Sequence, residues 1–436
     1  MVALDYVRAN VPAAGERAPI RVGVLVDLEL SPQAGGHVKC WERLARAAAA
    51  FADQLDLTIH FAGRKRSVEV LGDNVRYIIE PPVLSTARFR LLSHVPDHTD
   101  LAPFHPRLAR SLRNYQVIHT TDGFFAYART AIRVARRLGI PLVTSVHTNT
   151  PEYSRIYTRL TIERLAGRGA LSRALLDGLG LDRMVERRMV ARLAAHQRQC
   201  AFSFLSRPEQ LAAAETALGG RVGLLRRGIE RDLFAPHHRN RAWLAANLGI
   251  PVERTVVLFV GRLNRGKNVL LLADAVATLV AEGLDLQLVC AGVGDQRDAV
   301  LAKLGDRATC PGTVPPDFLA RLYASADLFA LPSEIEESAN VVLEALASGL
   351  PVLVARESGM GRAVAEGETG LTLPGAAGDA WAAAIRLLTG DPAQRLRMGR
   401  AARRYAEQRL PAWEDVLAED LLPHWQNAAV GCSWQP

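Results

Sequence analysis

Strand-like apolar runs alternate with helical stretches along most of the 436 residues, which predicts an α/β protein of two doubly wound domains facing a central cleft. Three observations carry that expectation. The alternation itself calls for parallel strands joined by helices. It restarts midway, so that a second set of runs repeats the design of the first. Glycine or a charged residue then follows run after run, at the strand ends where open parallel sheets bind ligands. At this length two domains of ordinary size are expected.

In the first half the runs are 21–28, 57–61, 75–79, 117–120, 141–147 and 201–205, separated by helical stretches such as 38–52 and 126–138. Gly35 and Gly36 follow the first run and open a helix, and glycines let a backbone approach a ligand closely. The pair is neither a dinucleotide fingerprint nor a P-loop. The 141–147 run ends on His147. The 231–243 stretch, with Pro236 and two histidines, is the expected hinge, giving a first domain over 1–235 and a second over 236–408. In the second half Gly261, Arg262 and Lys267 follow the run 256–260, and Gly292 and Gly294 follow 286–291. A short run lies near 308–310, Glu336 follows 328–331, and 352–354 completes the set. A long helix over 392–408 leads into a helical tail reaching Trp425, within a final segment 409–436.

Composition narrows the function classes. Five scattered cysteines without CxxC spacing argue against a disulfide framework or a zinc site and fit a reducing cytosol. The first fifteen residues include Asp5 and Arg8 and lack the apolar centre of a leader. The most apolar stretch, 269–284, is broken by Asp274 and Glu282, so no membrane span is expected. The net charge of +8 has its excess in the first half, with arginines at 88, 90, 107, 110 and 113, then through 155–192. Such a surface attracts anionic lipid or phosphorylated ligands. Nucleic acid is not an expected partner, since no binding motif and no aromatic–basic interleaving is present.

The chemistry concentrates in residues 326–351. After Pro332 come Glu336 and, eight positions later, Glu344, on a helix that Gly349 and Pro351 end. Ser338 suits its N-cap. A helix amino end offers amide protons and partial positive charge to a phosphate, whereas carboxylates accept from sugar hydroxyls. Upstream, Arg262 and Lys267 supply a fork and a point charge for a diphosphate leaving group.

Glu336, seven residues, Glu344, and then Ser348-Gly349-Leu350-Pro351-Val352 resemble the signature of the family-4 glycosyltransferases, retaining enzymes of the GT-B fold with two Rossmann-like domains. The 261–268 run, GRLNRGKN, resembles that family's G-R-L-x-x-x-K-N element. Ser145-Val146-His147-Thr148 with Pro151 and Tyr153, and the 227–234 run with Glu230 in place of the usual Asp, resemble the branch that includes lipid-directed sulfoquinovosyl- and mannosyltransferases. Three departures stand out. Ser338-Ala339 replaces the usual Phe-Gly, Arg362 sits where an acidic or small residue is common, and the 33–42 opening is unlike that branch.

The resemblance implies transfer of a sugar from a UDP- or GDP-sugar to a lipid or glycan acceptor, with retention at the anomeric carbon. It places Glu344 on the ribose, Glu336 on the donor sugar, and Arg262 and Lys267 on the diphosphate. Amides near Asn340 and Val341 assist, and Gly35, Gly36 and Gly292 face the donor. His147 lies near the reacting carbon, with Glu152 and Tyr153 on the acceptor side. The tail is expected to cross back onto the first domain. No Asp-x-Asp metal motif is present, so a metal-independent cytoplasmic enzyme, able to dock on the inner face of the membrane, is expected. An epimerase or phosphorylase of the same fold, or a non-catalytic nucleotide-sugar binder, are the alternatives. The missing phosphate fingerprint argues against a nicotinamide oxidoreductase.

Overall fold

Valine, isoleucine and leucine dominate the runs that become strands, and strands buried on both faces are apolar nearly throughout. The computed structural model describes residues 18–32, 34–88, 99–167, 169–334 and 340–431. The first sheet contains β1 (Ile20–Glu29), β2 (Leu55–Ala62), β3 (Ser67–Gly72), β4 (Val75–Glu80), β5 (Val117–Thr120), β6 (Leu142–Ser145), β7 (Phe202–Leu205) and β8 (Val222–Leu224). Their order is β3-β4-β2-β1-β5-β6-β7-β8, parallel except for the β3–β4 hairpin. The second sheet contains β9 (Thr255–Val260), β10 (Leu286–Ala291), β11 (Ala308–Gly312), β12 (Leu328–Leu331), β13 (Val352–Ala355) and β14 (Gly370–Leu373). It runs β11-β10-β9-β12-β13-β14, parallel throughout.

Each expected run is a strand, with ends shifted by a residue or two. His147 lies just past β6 rather than within it. The three strands that the apolar runs do not reveal, β3, β8 and β14, are sheet edges: β3 is exposed along most of its length, and β8 and β14 are only three and four residues long. In both sheets the chain reverses direction of winding beside the first strand, between β1 and β5 and between β9 and β12. A crevice opens at such a switch point beyond the carboxyl ends of the strands.

The two sheets build separate cores, and the chain passes between them twice. Leu225 packs in the first core and Ile229 already in the second. The crossover therefore precedes the 231–243 stretch expected as the hinge. That stretch is fastened to the second sheet instead, through Arg239 and Arg241 on Asp327. The return crossing follows Leu410, which packs on the second core. Trp413, Val416, Leu417, Leu421, Leu422 and Trp425 of the tail are buried in the first. The two crossings lie side by side, with the Ile229 amide donating to the Pro411 carbonyl at 3.0 Å.

Glycine is required where they touch. A Cβ on Gly228 would stand 2.7 Å from Trp413 Cα and 2.6 Å from its ring. Gly228→Ala is expected to destabilise the protein by about 1–3 kcal/mol through overpacking, read as a lowered urea midpoint. Wild-type stability in this variant would show that the crossings do not hold each other.

Candidate functional site

The loop after β9 is wedged into place by backbone fit. Gly292, after β10, has φ +140, and a Cβ there would collide with the Gly261 carbonyl oxygen. A Cβ on Gly294 would collide with that of Leu263. Glycine is thus the residue that lets the two loops close on each other. On the other side Ser333 Oγ donates to the Gly266 carbonyl at 3.1 Å, and Asn268 Nδ2 to that of Pro332 at 3.2 Å. Asn268 itself takes the left-handed conformation, φ +51. Arg262 and Lys267, both half-buried, are carried on a loop fixed from two directions at the β9/β12 switch point.

The helix Asn340–Ala347 follows β12 and ends in a Schellman motif. Leu350 N–H bonds to Ala345 C=O and Gly349 N–H to Leu346 C=O, both at 3.0 Å, with Gly349 at φ +74. The Tyr323 hydroxyl lies 3.1 Å from Val341 C=O, and the buried Asn340 Oδ1 has no hydrogen-bond partner among the described residues. Glu336, Ser338 and Ala339 lie outside the described residues.

Glu344 is not presented to an open crevice. It is 2% exposed, and both oxygens are engaged: Arg43 Nη2 at 2.5 Å on one, the Tyr323 hydroxyl at 3.1 Å on the other. Arg43 belongs to the first domain, so this pair spans the two domains. Its Nε also lies 3.1 Å from Glu230 Oε2, and the guanidinium packs over Phe234 and Trp413. Burial opposes its charge, but Glu344 and Glu230 outweigh that and hold its pKa above the ordinary value. The carboxylate expected to meet ribose is thus satisfied by protein groups here.

Over the first sheet, His147 stacks on His37 with ring centroids 4.4 Å apart. Trp41 Nε1 donates to its Nε2 at 3.2 Å, Ser145 Oγ lies 2.7 Å from the same nitrogen, and Arg227 Nη2 is 3.0 Å from Nδ1. Burial, then the neighbouring His37 and Arg227, push the His147 pKa well below its usual value, so the ring is neutral. Glu152 and Tyr153 occupy the first turn of the helix Thr150–Ala166. There Asn149 caps the helix and donates to Glu152 Oε2 at 2.7 Å, and Tyr153 stacks with Tyr157.

Gly35 and Gly36 differ from the glycines of the second sheet. A Cβ on either would meet nothing within 4 Å, so neither packing nor backbone strain demands glycine there. What matters is the helix they open, Gly36–Ala48. It carries His37 and Trp41 to His147 and Arg43 to Glu344, so one helix touches both sequence-expected residues. His37, Trp41 and Arg43 were given no role from the sequence, and Ser145 and Arg227 entered only as members of motifs. His37 directly after the glycine pair and Arg227 in the 227–234 run were the available signals. Arg362 pairs with Glu209, closing one side of an interdomain cavity of about 410 Å³ that Arg207 and Arg356 also line. Among the described residues no group of three or more His, Cys, Asp and Glu side chains could hold a metal ion, and no helix is long and apolar enough to cross a membrane.

Arg43→Ala would leave Glu344 buried without its counter-charge, an expected loss of about 3–5 kcal/mol. Replacing both, Arg43→Met with Glu344→Leu, is expected to recover most of it. Urea unfolding of the three proteins is the check, and a single variant as stable as wild type would contradict the buried-pair account.

Residues 34–194 match the model described as Glycosyltransferase Family 4, and residues 254–391 that described as Glycosyl transferases group 1. A D-inositol 3-phosphate glycosyltransferase of Corynebacterium urealyticum is 35% identical over 212 residues, 46% of this chain and 50% of the relative. The matched region thus spans about half the length of this and similar curated relatives. Sucrose-phosphate synthase of Thermosynechococcus elongatus superposes with a TM-score of 0.67 at 22% identity, covering 94% of this chain and 100% of that one. HepE of Anabaena in complex with UDP-glucose gives 0.62 at 18%, covering 95% and 99%. Residues 34–194 and residues 254–391 are therefore similar to two glycosyltransferase families, and the two sheets that carry them have the GT-B fold.

Proposed function

We propose that the chain moves a sugar from a nucleoside diphosphate donor, held by the second sheet's loops, to an acceptor bound over the first sheet, with retention at the anomeric carbon. The observation that carries this reading is the Gly36–Ala48 helix, which ties His147 on one side and Glu344 on the other. Residues resembling a sugar-side and a nucleotide-side group are thereby held across one interdomain crevice. In this reading Arg262 and Lys267 hold the diphosphate, with the amides at Asn340 and Val341. Preorganised positive charge there stabilises the negative charge that grows as the sugar–phosphate bond breaks. These cations, rather than a metal ion, supply the countercharge. Glu336 takes donor-sugar hydroxyls, and Glu344 meets ribose once Arg43 gives up or shares the carboxylate. No nucleophile is evident on the far face of the sugar, so same-face attack guided by the leaving phosphate is the mechanism we infer.

Uridine diphosphate sugars are the favoured donors, because HepE, a protein of this fold, is described with UDP-glucose. For the acceptor, the lipid-directed branch resembled by residues 145–153 suggests a lipid or glycan. The relatives named for D-inositol 3-phosphate suggest a phosphorylated polyol. An acceptor bearing phosphate satisfies both and suits the cationic first half. The helices Thr150–Ala166 and Leu181–Gln197 support docking on an anionic membrane from the cytoplasmic side. They and the segment between them expose Leu165, Leu171, Leu179, Met184 and Val190 beside a dense set of arginines. Epimerase, phosphorylase and binding-only readings are separated from this one by product analysis.

Thermal-shift titration with UDP and GDP, followed by a sugar-nucleotide panel, identifies the donor. With it in hand, Arg262→Ala or Lys267→Ala is expected to lower kcat/KM by about 2–4 kcal/mol of transition-state stabilisation, and EDTA to leave wild-type turnover unchanged. Near-wild-type rates in both variants would remove the pair from the site.

Docking is tested by sedimentation with vesicles. Each Lys or Arg near an anionic surface contributes about 1 kcal/mol, and salt screens it. Binding to anionic vesicles at low salt, declining at high salt and weak on neutral vesicles, is expected. Protein that stays in the supernatant with anionic vesicles at low salt would leave a soluble acceptor as the better reading.

A further inference from the structure

Two of the cysteines scattered along the sequence are neighbours in the second sheet. β10 and β11 pair in parallel, with Leu288 opposite Ala308 and Val289 opposite Thr309. The next step of that register sets Cys290 beside Cys310. Side chains alternate along a strand, so the two cysteines share one face, and both pack on the second sheet's core. Neighbouring strands lie about 4.8 Å apart, within the roughly 4.4–6.8 Å between Cα atoms that a disulfide spans. Both cysteines are free, and their thiols are in hydrogen-bond contact. Cys40 and Cys200, by contrast, are buried in separate cores of the first domain.

The two sulfurs are not equivalent. Cys290 is fully buried, whereas Cys310 lies on the edge strand and is partly exposed. The Cys290 thiol donates to Cys310 and holds the Cys310 pKa below its usual value, with Arg297 assisting against the effect of burial. The same hydrogen bond, with burial, raises the Cys290 pKa well above its own. The sulfur with more thiolate character is thus the one that solvent reaches. Directly after the pair the ladder slips by one residue. Ala291 stands opposite Gly312, and Pro311, which has no amide proton, is the extra residue. The ladder is broken where a disulfide would draw on the backbone.

We propose that Cys290 and Cys310 are a modification site for small-molecule disulfides, closing to a reversible cross-strand disulfide that disturbs the diphosphate loop beside it. The Cys310 thiolate attacks one sulfur of the small disulfide, and the other half leaves as a thiolate. Cys290 gives up its proton and attacks the Cys310 sulfur of the mixed disulfide, and the second half leaves. Two protein thiols are oxidised, the small disulfide is reduced to two thiols, and the protons of the cysteines end on those thiols. Excess reducing thiol runs both steps backwards. Beyond the bulge the Gly292 N–H donates to the Gly312 carbonyl at 2.9 Å, and a Cβ on Gly292 would have no room against Gly261. A shift of β11 against β10 therefore reaches the loop that carries Arg262 and Lys267. The effect on the donor rests on the transferase reading above, but the disulfide does not.

The full-length protein is treated with oxidised glutathione and digested without reduction. Tryptic cleavage after Arg297, Lys303 and Arg307 puts the two cysteines in different peptides, so their link is read by mass. Linked Cys290 and Cys310 are expected, and dithiothreitol is expected to separate them. Cys290→Ser is expected to keep a glutathione adduct on Cys310, and Cys310→Ser to carry none on Cys290. Wild type without the linked peptides, or Cys310→Ser with the adduct on Cys290, would overturn the assignment. UDP affinity is then compared in the two redox states. Oxidation is expected to weaken it about fivefold, the low end of coupling between sites, and Cys310→Ser to be insensitive to the treatment. Equal affinity in oxidised and reduced wild type would overturn the link to the diphosphate loop. The linked peptides decide the disulfide whether or not the protein binds UDP.

Discussion

The relative placement of the two sheets depends on one buried guanidinium. Arg43 reaches from the helix after the glycine pair to Glu344 on the second domain, to Glu230 on the first crossover, and over the rings of Phe234 and Trp413. Removing two charges from water costs several kcal/mol per ion, and the cost is offset only where geometry and further hydrogen bonds are good. Here part of that offset comes from the Tyr323 hydroxyl at 3.1 Å from the second oxygen of Glu344 and from Glu230 at 3.1 Å from Arg43 Nε, while Arg43 Nη1 has no partner among the described residues. Glu230 stands where the resembled family usually has Asp. Its additional methylene lets the carboxylate reach Arg43, which gives that departure a physical sense. The first helix, the crossover, the second domain and the returning tail all meet at this charge.

The two sides of the crevice are prepared by different means. On the second sheet the backbone does the work, with Gly292 and Gly294 admitting the 261–268 loop so closely that any side chain would collide. That presents Arg262 and Lys267 on a support held in place by backbone fit. On the first sheet the work falls to a buried cluster of rings, His37, Trp41, His119 and His147. Burial keeps His119 and His147 neutral. Neutral rings offer directed hydrogen bonds without adding charge, which suits sugar hydroxyls better than phosphate. Arg227 stands at the edge of that cluster and is its nearest cation.

Sequence reasoning located elements better than it located surroundings. The strands came from apolar runs because strands covered on both faces leave little room for polar residues, and three edge strands escaped notice because they are exposed or very short. Glu344 could be placed on a helix with its stop signal at Gly349. That its carboxylate would be claimed by an arginine 301 residues earlier has no local signature. The expected hinge at 231–243 was misplaced likewise. Proline and histidines do mark a break there, but the buried Asp327 holds Arg239 and Arg241 and assigns the stretch to the second domain.

By itself the sequence determined the two-sheet architecture, the loaded carboxyl ends of the strands, and the places of the glycines that follow β9 and β10. All of these follow from patterns within a few turns of chain. Only the tertiary structure decided that Glu344 is engaged by Arg43, that His147 sits among His37, Trp41, Ser145 and Arg227, and that Trp425 of the tail donates to His119. Those pairings join residues separated by up to 306 positions. They exist because burial in a shared interface forces each polar group to find a partner, and which partner it finds depends on how the two domains and the tail pack together.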